Sequence, residues 1–253
     1  MIKLQFFTIC FLAQVVCFSQ VQVPMEEIRK GEFIPLYGSD TISVVVDDFL
    51  LDTYPVTNQQ YLDFVQKNPK WKKSKVIKLF AEASYLSQWE NDTTLGNLVN
   101  PLSPVTSVSW FSAKAYCRCQ GKRLPTMNEW EYVAMANQTD RNAQKDSLFN
   151  QKITSGYESP KTYRRSVGST FRNYWGVWDM HGLIWEWTSD FNSVIISGES
   201  RNSKNADGQL FCAGASVGAS DLMNYAAFMR YAFRSSVKAN YCILNLGFRC
   251  AKD

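Results

Sequence analysis

The stretch Gly121-Lys-Arg-Leu-Pro-Thr-Met-Asn-Glu-Trp-Glu131 carries the most structural information in this chain. Within it Thr126 is followed three residues later by Glu129, a capping box that predicts where a loop becomes a helix. Two further stretches follow it along the chain, Asp179-Met-His-Gly-Leu-Ile-Trp-Glu-Trp187 and Leu246-Gly-Phe-Arg-Cys250. Three such motifs in this order are far more specific than any one of them, so together they decide the fold.

The composition is that of an ordinary globular protein. The chain has 253 residues, of which 45% are hydrophobic and 20% charged, enough to bury a substantial core. Aromatic residues reach 14%, which suits an irregular fold whose loops are packed by large flat side chains. The net charge of +4 is small for a surface of this size, so it predicts neither a nucleic-acid nor a membrane-surface partner.

The first twenty residues predict a secretory signal. Lys3 provides a positive start, residues 6–18 form an almost unbroken apolar run, and Ser19 begins a polar exit. The run is too short for a transmembrane helix, which needs about 20 apolar residues, and no other segment predicts a membrane span. A lipid anchor at Cys17 is the less favoured alternative, because bulky valines precede it. The mature domain, residues 21–253, is therefore expected to be exported, either periplasmic or secreted.

Hydrophobic patterning in the first half of the chain predicts strands followed by helices. Residues 25–54 alternate between short apolar and polar runs, which predicts strands joined by a turn at Gly38-Ser39-Asp40. Residues 68–98 predict an amphipathic insertion lying over the body of the domain. Helices are expected to begin at three N-cap residues, Thr57, Ser109 and Thr126.

The second half of the chain is less regular. From about residue 140 onward the apolar periodicity largely disappears. Short strands are expected at residues 184–187 and 228–233, separated by long loops.

Together the motifs resemble those of the formylglycine-generating enzymes, also called sulfatase-modifying factors. The resemblance covers nearly the whole mature chain and extends to Asp52-Thr-Tyr-Pro-Val-Thr-Asn58 and Pro104-Val-Thr-Ser-Val-Ser-Trp110. It implies a single α+β domain with the fold of that family, an unusual C-type-lectin-like fold with little regular secondary structure.

The resemblance also implies a structural calcium ion beside the Trp-Glu-Trp motif. Glu186 would be the anionic ligand, and the backbone carbonyls of His181, Gly182 and Ile184 would complete the site, as suits a cation that prefers oxygen. The family usually has Asn where this chain has Leu183.

Five cysteines remain once the leader is removed, and export favours disulfides among them. The resemblance implies the pair Cys117–Cys250, which closes a loop of more than a hundred residues. Counting the rest suggests a second pair, Cys212–Cys242, with Cys119 left free.

The hypothesis that the chain is an active enzyme depends on residues that it lacks. Formylglycine-generating enzymes use two cysteines, which also hold copper, and the corresponding stretch from Gly214 to Arg230 contains none. Its only soft donors are Met223 and Met229, so a copper site is not expected. His181 is the only histidine, which excludes a multi-histidine iron site within one subunit.

Two functions from different classes therefore remain. The first is a non-oxidising accessory, maturation or ligand-binding factor for an exported protein or peptide, including a copper redox enzyme such as a nitrite reductase. The second is an active formylglycine-generating oxidase that uses Cys212 as its reactive thiol.

If the protein binds a ligand, three residues are candidates to line the binding groove, namely Trp110, Arg230 and Arg234. Two guanidiniums beside a cleft can hold a carboxylate or a peptide backbone. The alternative is that both arginines pair with carboxylates of the scaffold, namely Glu129, Glu131 or Asp190.

Overall fold

The structure is a computed structural model that describes residues 23–35, 43–192 and 222–253. The predicted leader, the turn at residues 38–40 and Cys212 lie outside these ranges. Within them, no helix combines the length and the apolar character needed to cross a bilayer.

The strands are short, and they form three small sheets. They are β1 Met25–Ile28, β2 Gly31–Phe33, β3 Val44–Val46, β4 Phe49–Asp52, β5 Trp185–Glu186, β6 Leu246–Gly247 and β7 Ala251–Lys252. β1 and β7 flank β4 in an antiparallel sheet, β2 pairs with β3 antiparallel, and β5 pairs with β6 in parallel. The parallel pair joins the Trp-Glu-Trp motif to the C-terminal Gly-Phe-Arg-Cys motif, with Glu186 opposite Gly247.

Three of the helices begin where the sequence predicts. The Thr57 hydroxyl accepts from the Gln60 N–H and the Thr126 hydroxyl from the Glu129 N–H, both as full capping boxes, and Ser109 caps the helix between them. The helices are α1 Asn58–Lys67, α2 Trp110–Cys119, α3 Met127–Ala134, α4 Ser147–Glu158 and α5 Leu222–Ser236.

The predicted strand at residues 228–233 is wrong, because this stretch lies inside α5. The helix contains neither Gly nor Pro, and its buried Ala227 and Arg230 are three residues apart, a spacing that puts them on one face of a helix but on opposite faces of a strand. The helix α4, capped by Asp146, also lies where no regular element was expected.

The insertion at residues 68–98 supplies part of the main core instead of merely covering it. Trp71, Tyr85 and Trp89 are buried among side chains of α1 and α2. The indole N–H of Trp89 donates to the Asn58 side chain at 3.0 Å, and that amide donates to the carbonyl of Ser103 at 3.1 Å. Buried polar bonds of this kind fix the insertion in one position.

Of the predicted cysteine pairings, only Cys117–Cys250 is confirmed. Cys117 and Cys250 form the disulfide implied by the family resemblance, with their Cα atoms 5.6 Å apart. The pairing of Cys212 with Cys242 is wrong, because Cys242 is a free, buried thiol. The prediction of a free Cys119 is also wrong, since that residue is disulfide-bonded.

Candidate functional site

Glu186 of the Trp-Glu-Trp motif is held in a buried ion pair. Arg249 donates from Nε and Nη2 to both carboxylate oxygens of Glu186, at 2.8 to 3.0 Å, and both side chains are buried. The indole N–H of Trp130 adds a third donor at 2.9 Å. A bidentate pair with a further donor satisfies the carboxylate, which makes this cluster a structural link between β5, α3 and the segment that follows β6.

These contacts decide how Glu186 fits the predicted calcium site. Its two oxygens already accept from a guanidinium, so the carboxylate does not fit the role of anionic ligand, and a calcium ion would need another. The carbonyls of His181, Gly182 and Ile184 lie in the turn before β5, where Gly182 adopts a φ of +83°. Calcium binding by these carbonyls stays a prediction.

The imidazole of His181 is a buried neutral group. Its Nε2 lies 2.8 Å from the carbonyl oxygen of Ala134, so Nε2 carries the proton and donates it. The ring packs edge-on against Trp130 and Phe149, with centroids 5.9 Å away in each case. Burial, aided by the nearby charge of Arg230, lowers the pKa of His181 to about 4. The neutral form therefore belongs to the folded state.

This burial predicts acid sensitivity. The unfolded state takes up the proton at its ordinary pKa of about 6.5, whereas the folded state resists until about pH 4, so stability falls as pH drops through this window. Between pH 7 and pH 5 we expect the titration of His181 to lower the free energy of unfolding by about 2 kcal/mol. Urea unfolding at both pH values measures it, and His181→Gln, which keeps a donor but does not titrate, is expected to remove that share. An equal pH dependence in both proteins would contradict this origin.

Arg230 and Arg234 do hold a carboxylate, but it belongs to the protein itself. Arg230 donates from Nε and Nη2 to Glu131 at 2.9 Å, and Arg234 donates from Nη2 at 2.7 Å. The hydroxyl of Tyr157 accepts from Arg230 at 3.2 Å, and Trp130 lies beneath both guanidiniums. Burial alone would raise the pKa of Glu131, but the two arginine charges outweigh it and lower the pKa to about 2.

The predicted groove residues are therefore not gathered into one site. Trp110 lies at the start of α2, where its indole N–H donates to the carbonyl of Thr188 at 2.9 Å. It lines an open cleft, and neither Arg230 nor Arg234 is among the residues that line that cleft.

This cleft has a volume of about 710 Å³. It lies between the end of α1, the segment of residues 69–80 and the outer face of α2. Such a volume falls in the range of ordinary ligand sites. Its aromatic lining consists of Phe64, Trp71, Phe80, Trp110 and Phe111.

All the charged residues that line the cleft are basic, namely Lys70, Lys75, Lys114 and Arg118. Lys114 places its ammonium 4.3 Å from the centroid of the Trp110 ring, within the range of a cation–π contact. Sequence reasoning found only Trp110 of this set. The signal in the sequence is the run of lysines between residues 70 and 78, which includes Trp71 and is followed by Phe80.

The cysteines near these sites are not arranged for nucleophilic chemistry. Cys117, Cys119 and Cys250 are disulfide-bonded. Burial raises the pKa of the Cys242 thiol to about 12, while a reactive cysteine requires a lowered pKa. Within the described ranges, no group of three or more His, Cys, Asp or Glu side chains is placed to hold a metal ion.

The fold and the site define an α+β domain in which buried arginine–carboxylate clusters hold ordered loops beside an open, basic, aromatic cleft. The family described as "Sulfatase-modifying factor enzyme 1-like domain" matches residues 25–253. The chain belongs to this family, that of the formylglycine-generating enzymes, and has its single-domain fold.

The chain is similar to proteins described as formylglycine-generating enzymes and to one described as inactive. The formylglycine-generating enzyme of Streptomyces coelicolor is 36% identical over 168 residues, a match that covers 60% of this chain but only 54% of that protein. The formylglycine-generating enzyme of Bos taurus is 30% identical over 83% of this chain and 67% of its own length. The inactive Cα-formylglycine-generating enzyme 2 of Bos taurus is 26% identical over 68% of this chain and 70% of its own.

Among solved structures, the chain is similar to PvdO from Pseudomonas aeruginosa. That match has a TM-score of 0.47 and 17% sequence identity, and it covers 90% of this chain and 94% of PvdO.

Proposed function

We propose that this protein is a non-oxidising member of the formylglycine-generating enzyme family. It acts as an exported accessory or maturation factor that binds a segment of another exported protein. The observation that carries the proposal is the state of its thiols, since every cysteine in the described ranges is either disulfide-bonded or buried with a raised pKa.

The buried thiol is poorly suited to act as a nucleophile. Cys242 is 3% exposed, and its Sγ lies 3.5 Å from the carbonyl of Asn240, to which it donates. Burial is the main cause of the raised pKa of this thiol; a hydrogen bond with the Glu82 backbone lowers the pKa, and the negative charge of Glu82 adds a smaller increase. The thiolate is the reactive form of cysteine, so this environment suppresses reactivity.

The absence of the catalytic cysteine pair and the similarity to an inactive relative also support a non-oxidising function. The stretch from Gly214 to Arg230 contains no cysteine, although the family resemblance places the catalytic pair there. The similarity to the inactive enzyme of Bos taurus is consistent with a family member that keeps the fold without the reaction.

Export and the kind of partner are part of the proposal. The apolar leader of residues 1–20 favours a periplasmic or secreted protein, which would meet its partner outside the cytoplasm. Copper redox enzymes such as nitrite reductases are the partner class that the family resemblance suggests.

The second candidate is an active formylglycine-generating oxidase with Cys212 as its thiol. The observation in its favour is that the chain is more similar to the enzymes of Streptomyces coelicolor and Bos taurus, at 36% and 30% identity, than to the inactive relative at 26%.

A peptide assay separates the two candidates. The purified protein, with and without copper, is incubated with a Cys-x-Pro-x-Arg peptide, and the peptide mass is followed. We expect no conversion of the cysteine thiol to an aldehyde. Conversion that is lost in Cys212→Ser but kept in the matched control Cys242→Ser would establish the oxidase and overturn the proposal.

A further inference from the structure

We propose that the cleft between α1, residues 69–80 and α2 binds an acidic peptide segment that carries an aromatic side chain. This inference rests on the proposed function and names the class of segment that the protein recognises.

The walls of the cleft form a continuous row of aromatic rings. The centroid of Phe80 lies 6.2 Å from that of Trp71 and 5.2 Å from that of Phe111, which in turn lies 5.4 Å from Trp110. Phe80 is 37% exposed and the neighbouring Ile77 is 56% exposed, so apolar surface faces the opening. An aromatic side chain entering here would find ring partners at edge and face distances.

The charges at the cleft are of one sign. Lys114 and Arg118 are four residues apart on the outer face of α2, and Lys70 and Lys75 lie across the cleft from them. None of the four forms an ion pair with a carboxylate of residues 23–35, 43–192 or 222–253. The exposed Asp92 is near Lys75 but does not line the cleft.

This pattern favours a peptide over other anionic ligands. A single small aromatic acid offers one carboxylate, whereas four cations on two sides of an aromatic row match several carboxylates around one ring. Single-stranded nucleic acid also combines negative charge with stacking, but it requires a basic groove that follows several nucleotides. The cleft is a compact site of about 710 Å³ in a chain with a net charge of only +4.

The test is calorimetric titration of the full mature protein with the capped peptide Glu-Asp-Phe-Asp-Glu. We expect measurable binding that weakens as salt is raised, and loss of at least about tenfold in affinity when alanine replaces the phenylalanine. The charge-reversal variant Lys114→Glu/Arg118→Glu is expected to weaken binding at least about tenfold. Phe80→Ala, at a partly exposed position, is expected to weaken it as well.

Matched controls identify the site and the ligand class. Lys145→Glu/Arg165→Glu makes the same change in net charge at two exposed positions outside the cleft and is expected to alter affinity less than about twofold. Equal weakening by this control, absence of peptide binding, or binding of phenylacetate or oligothymidylate at least as tight as that of the peptide would overturn the inference. None of these results would change the outcome of the peptide oxidation assay, so the two proposals fail separately.

Discussion

Replacement of Arg249 by Met is expected to lower the free energy of unfolding by about 3–5 kcal/mol, because it leaves a carboxylate buried without its cation. Arg249 is fully buried and donates twice to the carboxylate of Glu186, to the carbonyl of Trp178 at 2.9 Å and to that of Asp52 at 3.3 Å. Methionine fills much of the volume but supplies no donor, so the remaining acceptors lose their partner.

Urea unfolding of the two proteins measures the effect, with Arg29→Met as the matched control. Arg29 forms an ion pair with Glu27, but its side chain is 66% exposed, so the same substitution there is expected to cost less than about 1 kcal/mol. The double variant Glu186→Leu/Arg249→Met removes both charges and is expected to be more stable than Arg249→Met alone. If the double variant is the less stable of the two, the buried charge is not the cause.

The helix starts could be predicted because their signals are local. Each capping box at Thr57 and Thr126 is completed within three residues by Gln60 and Glu129. Both partners of each bond lie within one helical turn, so a short stretch of sequence is sufficient to identify them. The same reasoning located Ser109 as the cap of α2.

The partners of the buried charges could not be predicted in this way. Arg230 meets Glu131 across 99 positions of sequence, and Arg249 meets Glu186 across 63. Chain folding decides which carboxylate faces each guanidinium. From the sequence, Arg230 and Arg234 were therefore equally compatible with an external ligand and with an internal partner.

The aromatic cleft could not be predicted from the sequence either. In the sequence, Phe111, Lys114 and Arg118 are spaced as one face of α2, which is also the pattern of a helix face exposed to water. The cleft exists only because residues 69–80 fold back beside that face and place Trp71 and Phe80 opposite it. Its ligand chemistry thus follows from packing rather than from a motif.

Replacing both Cys117 and Cys250 by Ala is expected to lower the free energy of unfolding by about 5 kcal/mol. Their disulfide closes a loop with a sequence separation of 133, and the chain-entropy cost of such a loop falls on the unfolded state. The bond also holds the end of the chain in place: the Cys250 N–H donates to the Asp52 carboxylate at 2.9 Å, and Asp52 pairs with Lys122.

Urea unfolding of the double alanine variant measures this bond by itself, whereas chemical reduction would also open the disulfide at Cys119. Cys242→Ala is the matched control, since it removes a buried sulfur without opening a crosslink, and is expected to cost about 1 kcal/mol. The double alanine variant is also expected to show a steeper dependence of the unfolding free energy on urea concentration, because an unfolded chain without the crosslink exposes more surface. A cost no greater than that of Cys242→Ala would mean that packing around the cystine, and not the closed loop, determines the stability of this part of the fold.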